Sequence, residues 1–191
     1  MSSTSLSVTP LAPFTDVLLI KNKVFGDARG FFVESYNAHA FEAATGLQVQ
    51  FVQDNHSRSA KGVLRGIHYQ LAPHAQGKLV RVVNGSVFDV AVDLRKSSPT
   101  FGQWAAYTLT PTGGEMLWIP PGFGHAFLVL ENNTDFLYKT TDYYAPTSEA
   151  AVAWNDPTIN IQWPAGFSAA TITLSEKDQH APRLDRAALF D

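Results

Sequence analysis

The chain is built from many short apolar or alternating segments, separated by turn signals about every dozen residues, with almost no helix. Such a pattern indicates a β-sandwich or barrel, and we predict an all-β fold, a double-sheet jelly roll that encloses a pocket and carries a few short helices. The predicted strands are residues 17–20, 31–36, 51–57, 79–83, 87–94, 104–109, 115–119, 125–130 and 136–141, with a possible late strand at 159–163.

Two further elements are predicted from local signals. Residues 37–45 read as a helix with Asn37 as N-cap and Gly46 just past the end, and a short helix begins at Ser175. Residues 24–30 read as a glycine-bracketed turn, and Asn84-Gly85-Ser86 as a three-residue hairpin loop. That loop would place Val80 and Val82 on the same face as Val90 and Val92, and Lys78 shares their parity, so its ammonium should project inward.

The composition bounds the class of protein. The 191 residues are most simply one domain, 1–191, with 1–10 expected to be a flexible N-terminus that lacks the features of a signal peptide. The net charge of −3 without a basic run argues against nucleic acid as a partner, and no apolar run is long enough for a transmembrane helix. The absence of cysteine fits a cytoplasmic protein.

Candidate catalytic and binding residues cluster in residues 63–78, a segment between apolar strands that carries many nitrogen-bearing side chains. On a regular strand, His68 shares a face with Leu64, Gly66 and Gln70, while Tyr69 points the other way. Imidazole is largely neutral at physiological pH and accepts protons readily, so we interpret His68 as a catalytic base. The alternative for an isolated histidine is a hydrogen-bonded core residue.

Eight segments in this order resemble the dTDP-4-dehydrorhamnose 3,5-epimerase family. They are VFGDARGFF at 24–32, FVQDNHS at 51–57, VLRGIHYQ at 63–70, QGKLVR at 76–81, DVAVDLR at 89–95, SPTFG at 98–102, WIPPGFGHAF at 118–127 and FLYKTTDYY at 136–144. The resemblance implies a cupin-type jelly roll, a homodimer, and conversion of dTDP-4-dehydro-6-deoxy-D-glucose to dTDP-4-dehydro-L-rhamnose without metal or organic cofactor.

The resemblance also implies roles for individual residues. His68 would be the base, Asp178 would orient it, Lys78 would stabilise the enolate, and Tyr138 would be the acid that protonates the opposite face. Asp178 could instead be only part of a capping box that begins at Ser175. The substrate-binding positions implied are Arg29 and Arg65 for the pyrophosphate, Tyr144 for stacking on thymine, and Glu34, Gln53, Asp54, Asn55, His125, Glu149 and Lys177.

Arg65 poses a geometric problem, because it lies three residues before His68 and simple alternation sends the two to opposite faces. A bulge at Gly66, or a contact from a strand end or across a dimer interface, would reconcile them. The sequence leaves these solutions open.

Three other functions fit parts of the pattern. A metal-dependent cupin could use His68, His74 and His125, but its His-x-His pair is His68-Tyr69-Gln70 in this chain. A relative that epimerises a single carbon, or a ketoisomerase, would keep the same base and acid. A non-catalytic nucleotide-sugar binding protein would leave that pair unexplained.

Overall fold

The computed structural model describes residues 6–191, and the fold is dominated by strands. Its two α-helices are α1 (Ala38–Thr45) and α2 (Glu176–Gln179). The strands are β1 (Ser7–Pro10), β2 (Leu18–Lys21), β3 (Val24–Asp27), β4 (Gly30–Val33), β5 (Gln53–Ser59), β6 (Leu64–Gln70), β7 (Lys78–Asn84), β8 (Val87–Asp93), β9 (Trp104–Leu109), β10 (Glu115–Ile119), β11 (Phe123–Val129), β12 (Thr134–Thr140) and β13 (Glu149–Ala151).

Two antiparallel sheets face each other. The six-stranded sheet has the order β1-β2-β10-β7-β12-β5, and the five-stranded sheet has the order β13-β6-β11-β8-β9. Val80 and Leu117 of the first sheet share an apolar core with Val87, Ala91 and others of the second. This arrangement is the cupin-like β-sandwich that the sequence predicts.

The connection at 84–86 is not a hairpin. β7 lies in the six-stranded sheet and β8 in the five-stranded sheet, so the chain crosses the sandwich there instead of turning back on itself. The predicted face of β8 was therefore also wrong, because Val87 and Ala91 face Val80, while Val90 and Val92 pack on the other side.

The parity argument failed because β8 is buried on both faces. Its outer face is covered by residues of the C-terminal half, including Ile159, Ile161 and Leu184, so the apolar residues of this strand do not reveal which side is interior. Lys78 does face the interior, since it has the parity of Val80 and is only 9% exposed.

Three local expectations also need correction. Residues 7–10 are not a flexible terminus, because β1 pairs with β2, although residues 1–5 lie outside the described part. The expected turn at 24–30 is a short hairpin in which β3 pairs with β4. Residues 159–163 form no strand.

The first helix is as predicted. Oδ1 of Asn37 accepts a hydrogen bond from Ala40 N, and Gly46 ends α1 in the left-handed conformation at φ 72°. No helix among residues 6–191 is long and apolar enough to cross a membrane.

Candidate active site

A cavity of about 590 Å³ opens between the two sheets. Its walls carry an unusual number of polar side chains for the interior of a sandwich. The lining residues are Gln53, Asn55, Ser57, Val63, Leu64, Arg65, His68, Tyr69, Gln70, Gln76, Lys78, His125, Phe127, Tyr138, Tyr144, Glu149, Thr173, Leu174, Ser175 and Asp178.

His68 and Asp178 form a hydrogen-bonded pair at one side of the cavity. Nε2 of His68, on β6, lies 2.5 Å from Oδ1 of Asp178, on α2. Asp178 is 3% exposed, and its Oδ2 accepts a hydrogen bond from Ser175 Oγ at 2.7 Å. Burial opposes ionisation of Asp178, but the hydrogen bonds from His68 and Ser175 outweigh it and lower the pKa of the carboxyl group.

Asp178 makes the contacts that both sequence interpretations of it require. The Oγ of Ser175 accepts from Asp178 N at 3.1 Å, so the segment is a helix cap as well as the support of His68. The cap fixes the backbone of Asp178, and the hydrogen bond to Asp178 fixes the ring of His68.

A bulge in β6 resolves the position of Arg65. His68 pairs with His125 of β11, and Arg65 pairs with Phe127, so three steps on β6 oppose two steps on β11. The extra residue lies at Gly66-Ile67, and it returns Arg65 to the side on which His68 lies. Both side chains line the cavity, and of the solutions left open by the sequence, the bulge is the one found.

Gly66 is suited to this bulge. Its φ is 123°, a conformation that side-chain-bearing residues rarely adopt. A Cβ at this position would lie 2.5 Å from the carbonyl oxygen of His125 and 2.6 Å from Ala126. The absence of a side chain therefore allows β6 and β11 to approach closely beside the site.

Lys78 enters the cavity from β7, in the opposite sheet. Its Nζ donates to the carbonyl oxygen of His68 at 3.2 Å. Burial lowers the pKa of Lys78 to about 8, against the attraction of Asp89 and Glu149, which raises it. A cation with this environment is available at neutral pH and is poorly hydrated.

Tyr138 also comes from the six-stranded sheet, on β12, where it pairs with Val80 and Asn55. Burial raises the pKa of its phenol, so the hydroxyl stays protonated at neutral pH. The hydroxyl has no hydrogen-bond partner among residues 6–191, which leaves its proton available to a ligand.

His125 lies beside His68 and is paired with a carboxylate behind it. Its Nε2 lies 3.1 and 3.0 Å from the two oxygens of Asp89, which is fully buried on β8. Burial lowers the pKa of His125 and raises that of Asp89, while the attraction within the pair opposes both shifts.

The mouth of the cavity holds a polar network around Tyr144. Gln53 donates to Asn55 Oδ1 at 3.0 Å and accepts from the backbone N–H of Tyr144 at 3.0 Å. The Tyr144 hydroxyl donates to Glu149 at 2.8 Å, and Lys177 forms an ion pair with the same carboxylate. The Tyr144 side chain remains 55% exposed, so one ring face is available for stacking.

Four predicted binding residues are not among those that line this chain's cavity: Arg29, Glu34, Asp54 and Lys177, the last of which pairs with Glu149 at the mouth. Asp54 is on the outer face of β5, where it pairs with Lys139 at 2.9 Å. Arg29 lies at the tip of the β3–β4 hairpin, with its side chain 90% exposed and paired with Asp27. Glu34 follows the same hairpin. The outward direction of the Asp54 side chain follows from strand alternation, because its neighbours Gln53 and Asn55 face inward.

The three histidines of the metal-cupin alternative do not converge. His68 is paired with Asp178, His125 with Asp89, and His74 with Asp142 outside the cavity wall. Among residues 6–191, no group of three or more His, Asp or Glu side chains is arranged to hold a metal ion. Gln70, at the second position of the motif, uses its amide to hold the backbone of the loop that carries Tyr144.

Sequence reasoning missed several residues of the site. Asp89 was the most detectable, because a carboxylate in the middle of an apolar strand needs a buried partner. Ser57 had the parity of Gln53 and Asn55, which should have identified it. The lining residues Thr173 and Leu174 come from an irregular segment, for which periodicity offers no signal.

Comparisons of the sequence and of the fold with known proteins agree on one family. The sequence model described as dTDP-4-dehydrorhamnose 3,5-epimerase matches residues 12–186. The protein of that name from Salmonella typhimurium is 56% identical over 176 residues, which cover 92% of this chain and 94% of the relative.

Solved structures agree with the sequence match. The crystal structure of the dTDP-6-deoxy-D-glucose-3,5-epimerase of Legionella pneumophila, in complex with dTDP-4-keto-L-rhamnose, has a TM-score of 0.89 and 46% identity, covering 95% of this chain and 94% of that one. A 3'-monoepimerase from Streptomyces bikiniensis, in complex with dTDP-quinovose, has a TM-score of 0.84 and 33% identity, covering 92% and 87%.

Proposed function

This chain belongs to the dTDP-4-dehydrorhamnose 3,5-epimerase family, and on that basis we propose that it epimerises its dTDP-sugar with the side chains of this cavity. The substrate is dTDP-4-dehydro-6-deoxy-D-glucose and the product is dTDP-4-dehydro-L-rhamnose. The 4-keto group makes the protons on carbons 3 and 5 acidic, so the proposed reaction needs no redox or metal chemistry.

The first step is removal of an α-proton by His68. Because Nε2 is held by Asp178, the other ring nitrogen, Nδ1, is the one that accepts the proton. The electrons of the broken C–H bond form the carbon–carbon double bond of an enolate, and negative charge develops on the 4-oxygen. Asp178 stabilises the imidazolium that results.

Lys78 is the proposed partner of the enolate oxygen. It is a buried cation that lies close enough to β6 to bond the backbone of His68. A preorganised charge in a water-poor site stabilises developing negative charge far more than the same charge does in water.

Tyr138 completes each inversion. Its hydroxyl donates a proton to the face of the carbon opposite His68. His68 then releases the proton it removed to solvent, and the tyrosinate recovers one from solvent, so both groups are reset. The same base and acid then act at the second carbon.

The observation that carries this proposal is the placement of His68 and Tyr138 in different sheets. β6 belongs to the five-stranded sheet and β12 to the six-stranded sheet, and both side chains line the cavity between them. A sugar bound in that space has the base on one face and the acid on the other, which epimerisation requires.

Nucleotide recognition is assigned to the mouth of the cavity. Arg65 offers a guanidinium fork for the diphosphate, and the exposed face of Tyr144 offers a stacking surface for thymine. The remaining proposed contacts are the side chains of Gln53, Asn55, His125, Glu149 and Lys177.

We also propose that the protein is a homodimer, and that Arg29 and Glu34 act in the cavity of the partner subunit. The hairpin that precedes Glu34 exposes Phe31 at 69% and Phe32 at 67%, and an apolar surface of this kind is suited to burial against a second copy. Light scattering after size exclusion tests the dimer. Mixing Arg29→Ala with His68→Ala protomers tests the exchange of residues between sites.

We retain the expectation of a cytoplasmic location, which cell fractionation tests.

The deciding experiment is proton NMR of dTDP-4-dehydro-6-deoxyglucose with the protein in heavy water. Deuterium should enter at carbons 3 and 5, and His68→Ala should abolish entry at both while the circular dichroism spectrum is unchanged. His56→Ala is the matched control, because His56 lies on the outer face of β5 and pairs with Asp135.

The other functions predict different NMR spectra. Deuterium at a single carbon would identify a relative of the single-centre type, and no deuterium at either carbon would favour a binding protein. Full exchange by His68→Ala would remove His68 from its role as base.

A further inference from the structure

The proposed chemistry leaves a buried ionisable group next to the cavity wall without a role. Asp89 lies in the middle of β8 and is fully buried. It takes no part in the hydrogen-bonded pair of His68 and Asp178, and it forms no hydrogen bond with the proposed acid, Tyr138. A carboxylate in such a place is costly unless it is partnered. The partner is His125, which lines the cavity.

The geometry of this contact indicates which nitrogen of His125 carries hydrogen. Nε2 is almost equidistant from the two oxygens of Asp89, at 3.1 and 3.0 Å. One N–H directed between two carboxylate oxygens produces that arrangement, whereas an O–H donor on the carboxyl group would favour one oxygen. An ionised carboxylate can only accept, so Nε2 donates.

The second nitrogen of His125 is then an acceptor that faces the substrate. Nδ1 has no hydrogen-bond partner among residues 6–191, where no fully buried side-chain nitrogen or oxygen lacks one. Nδ1 must therefore be accessible, and the open space beside the ring is the cavity. Burial lowers the pKa of His125, which favours a neutral ring and leaves the lone pair of Nδ1 free.

The position of His125 in the sheet makes this acceptor relevant to the reaction. His125 and His68 are directly opposite each other on β11 and β6, so their side chains are neighbours on one face. A group bound to Nδ1 of His125 is thus next to the sugar carbon from which His68 removes a proton. The sugar carries hydroxyl groups there, and a hydroxyl is a natural donor to an imidazole nitrogen.

We propose that Asp89 is a positioning residue that acts through His125: it fixes the Nε2–H tautomer, so that Nδ1 accepts a hydrogen bond from a hydroxyl group of the substrate sugar. The inference rests on the proposed function and deepens it. It also implies specificity, since a sugar without that hydroxyl leaves a desolvated acceptor unpaired.

The tautomer is tested first, on the free protein. In ¹⁵N-histidine-labelled protein, long-range proton–nitrogen spectra distinguish the two neutral tautomers, and His125→Gln assigns the signals. We expect the Nε2–H pattern for His125 in the wild type. In Asp89→Asn the amide can donate to Nε2, so a population with hydrogen on Nδ1 should appear.

Kinetics then tests whether the tautomer matters. Asp89→Asn should lower kcat/KM about 10- to 100-fold in the wild-type background and less than about threefold in the His125→Gln background. The assays are run at pH 6.5, where Lys78 stays protonated, because Asp89 also attracts that cation. Asp93→Asn is the control, since Asp93 is a buried carboxylate on the same strand that pairs with Arg95 away from the cavity.

Two results would overturn the inference. One is a wild-type His125 with hydrogen on Nδ1, or a tautomer that Asp89→Asn does not change. The other is an equal loss of kcat/KM in both backgrounds, which would mean that Asp89 acts through something other than His125. The tautomer measurement needs no substrate, so an inactive wild type would contradict the proposed function without touching this result.

Discussion

Nε2 of His68 lies 2.5 Å from Oδ1 of Asp178, and this contact joins residues that are 110 positions apart. It determines the chemistry of the histidine, because a ring held at Nε2 has only Nδ1 left for the substrate. Asp178 is itself fixed by the cap of a short helix. The orientation of His68 therefore depends on a short helix outside the sheets, which also contacts β6 through a hydrogen bond from the backbone of Gly66 to Asp178.

Replacement of Asp178 with asparagine should preserve the fold and remove most of the activity. The amide can donate to Nε2, which would move the ring proton to Nδ1, where a base needs its lone pair. We expect kcat to fall about 100- to 10,000-fold with little change in KM. NMR progress curves measure both constants, and a kcat within threefold of the wild type would contradict the assigned role.

Replacement of Tyr138 with phenylalanine should separate proton removal from inversion. The base is intact, so deuterium from heavy water still enters the substrate, but the opposite face loses its proton donor. We expect labelled starting material to accumulate while inverted product forms at least about 100-fold more slowly. Equal loss of exchange and inversion would mean that Tyr138 does not act as a separate acid.

The pH dependence of kcat/KM should report the ammonium of Lys78. Burial lowers the pKa of Lys78 to about 8. The amino group is therefore fully protonated well below pH 8, and its positive charge is lost as the pH rises through that value. We expect kcat/KM to decline above pH 8, and Lys78→Arg to move that decline to higher pH, because a guanidinium stays charged. A decline at the same pH in Lys78→Arg would assign it to another group.

Replacement of Gly66 with alanine should damage both stability and the site. The new Cβ would lie 2.5 Å from the carbonyl oxygen of His125 and would occupy a backbone φ of 123°. We expect a loss of about 2 kcal/mol in the free energy of unfolding, and reduced activity in the folded fraction because Arg65 and His68 flank the bulge.

The matched control is Gly46→Ala at the end of α1. Gly46 also has a positive φ, but a Cβ there meets nothing within 4 Å. Urea titrations of both variants separate backbone strain from the clash with β11. If the two variants lose the same stability and activity, the close approach at Gly66 has no importance.

Much of the fold was accessible from local patterns. Asn37 and Gly46 bound the first helix as predicted, since capping depends on a few adjacent residues. The β9 and β10 strands occupy the predicted residues. The inward direction of Lys78 followed from its parity with Val80, because alternation along one regular strand is also local.

The errors arose where the pattern depended on distant residues. Asn84-Gly85-Ser86 has the composition of a hairpin loop, but the strands on either side pair with others, β7 with β10 and β12, and β8 with β11 and β9. The apolar residues of β8 could not show this, because the C-terminal segment buries the face that would otherwise be exposed.

The sequence by itself determined most of the short strands and the caps of α1, and it indicated candidate residues for a base, an acid and a buried cation. Only the tertiary structure decided that Arg65 joins His68 through a bulge, that Asp54 faces outward, and that Asp89 lies behind His125. The physical reason is that side-chain alternation is a property of one strand. Which strands pair, in which register, and what covers each face depend on contacts between residues far apart in the chain.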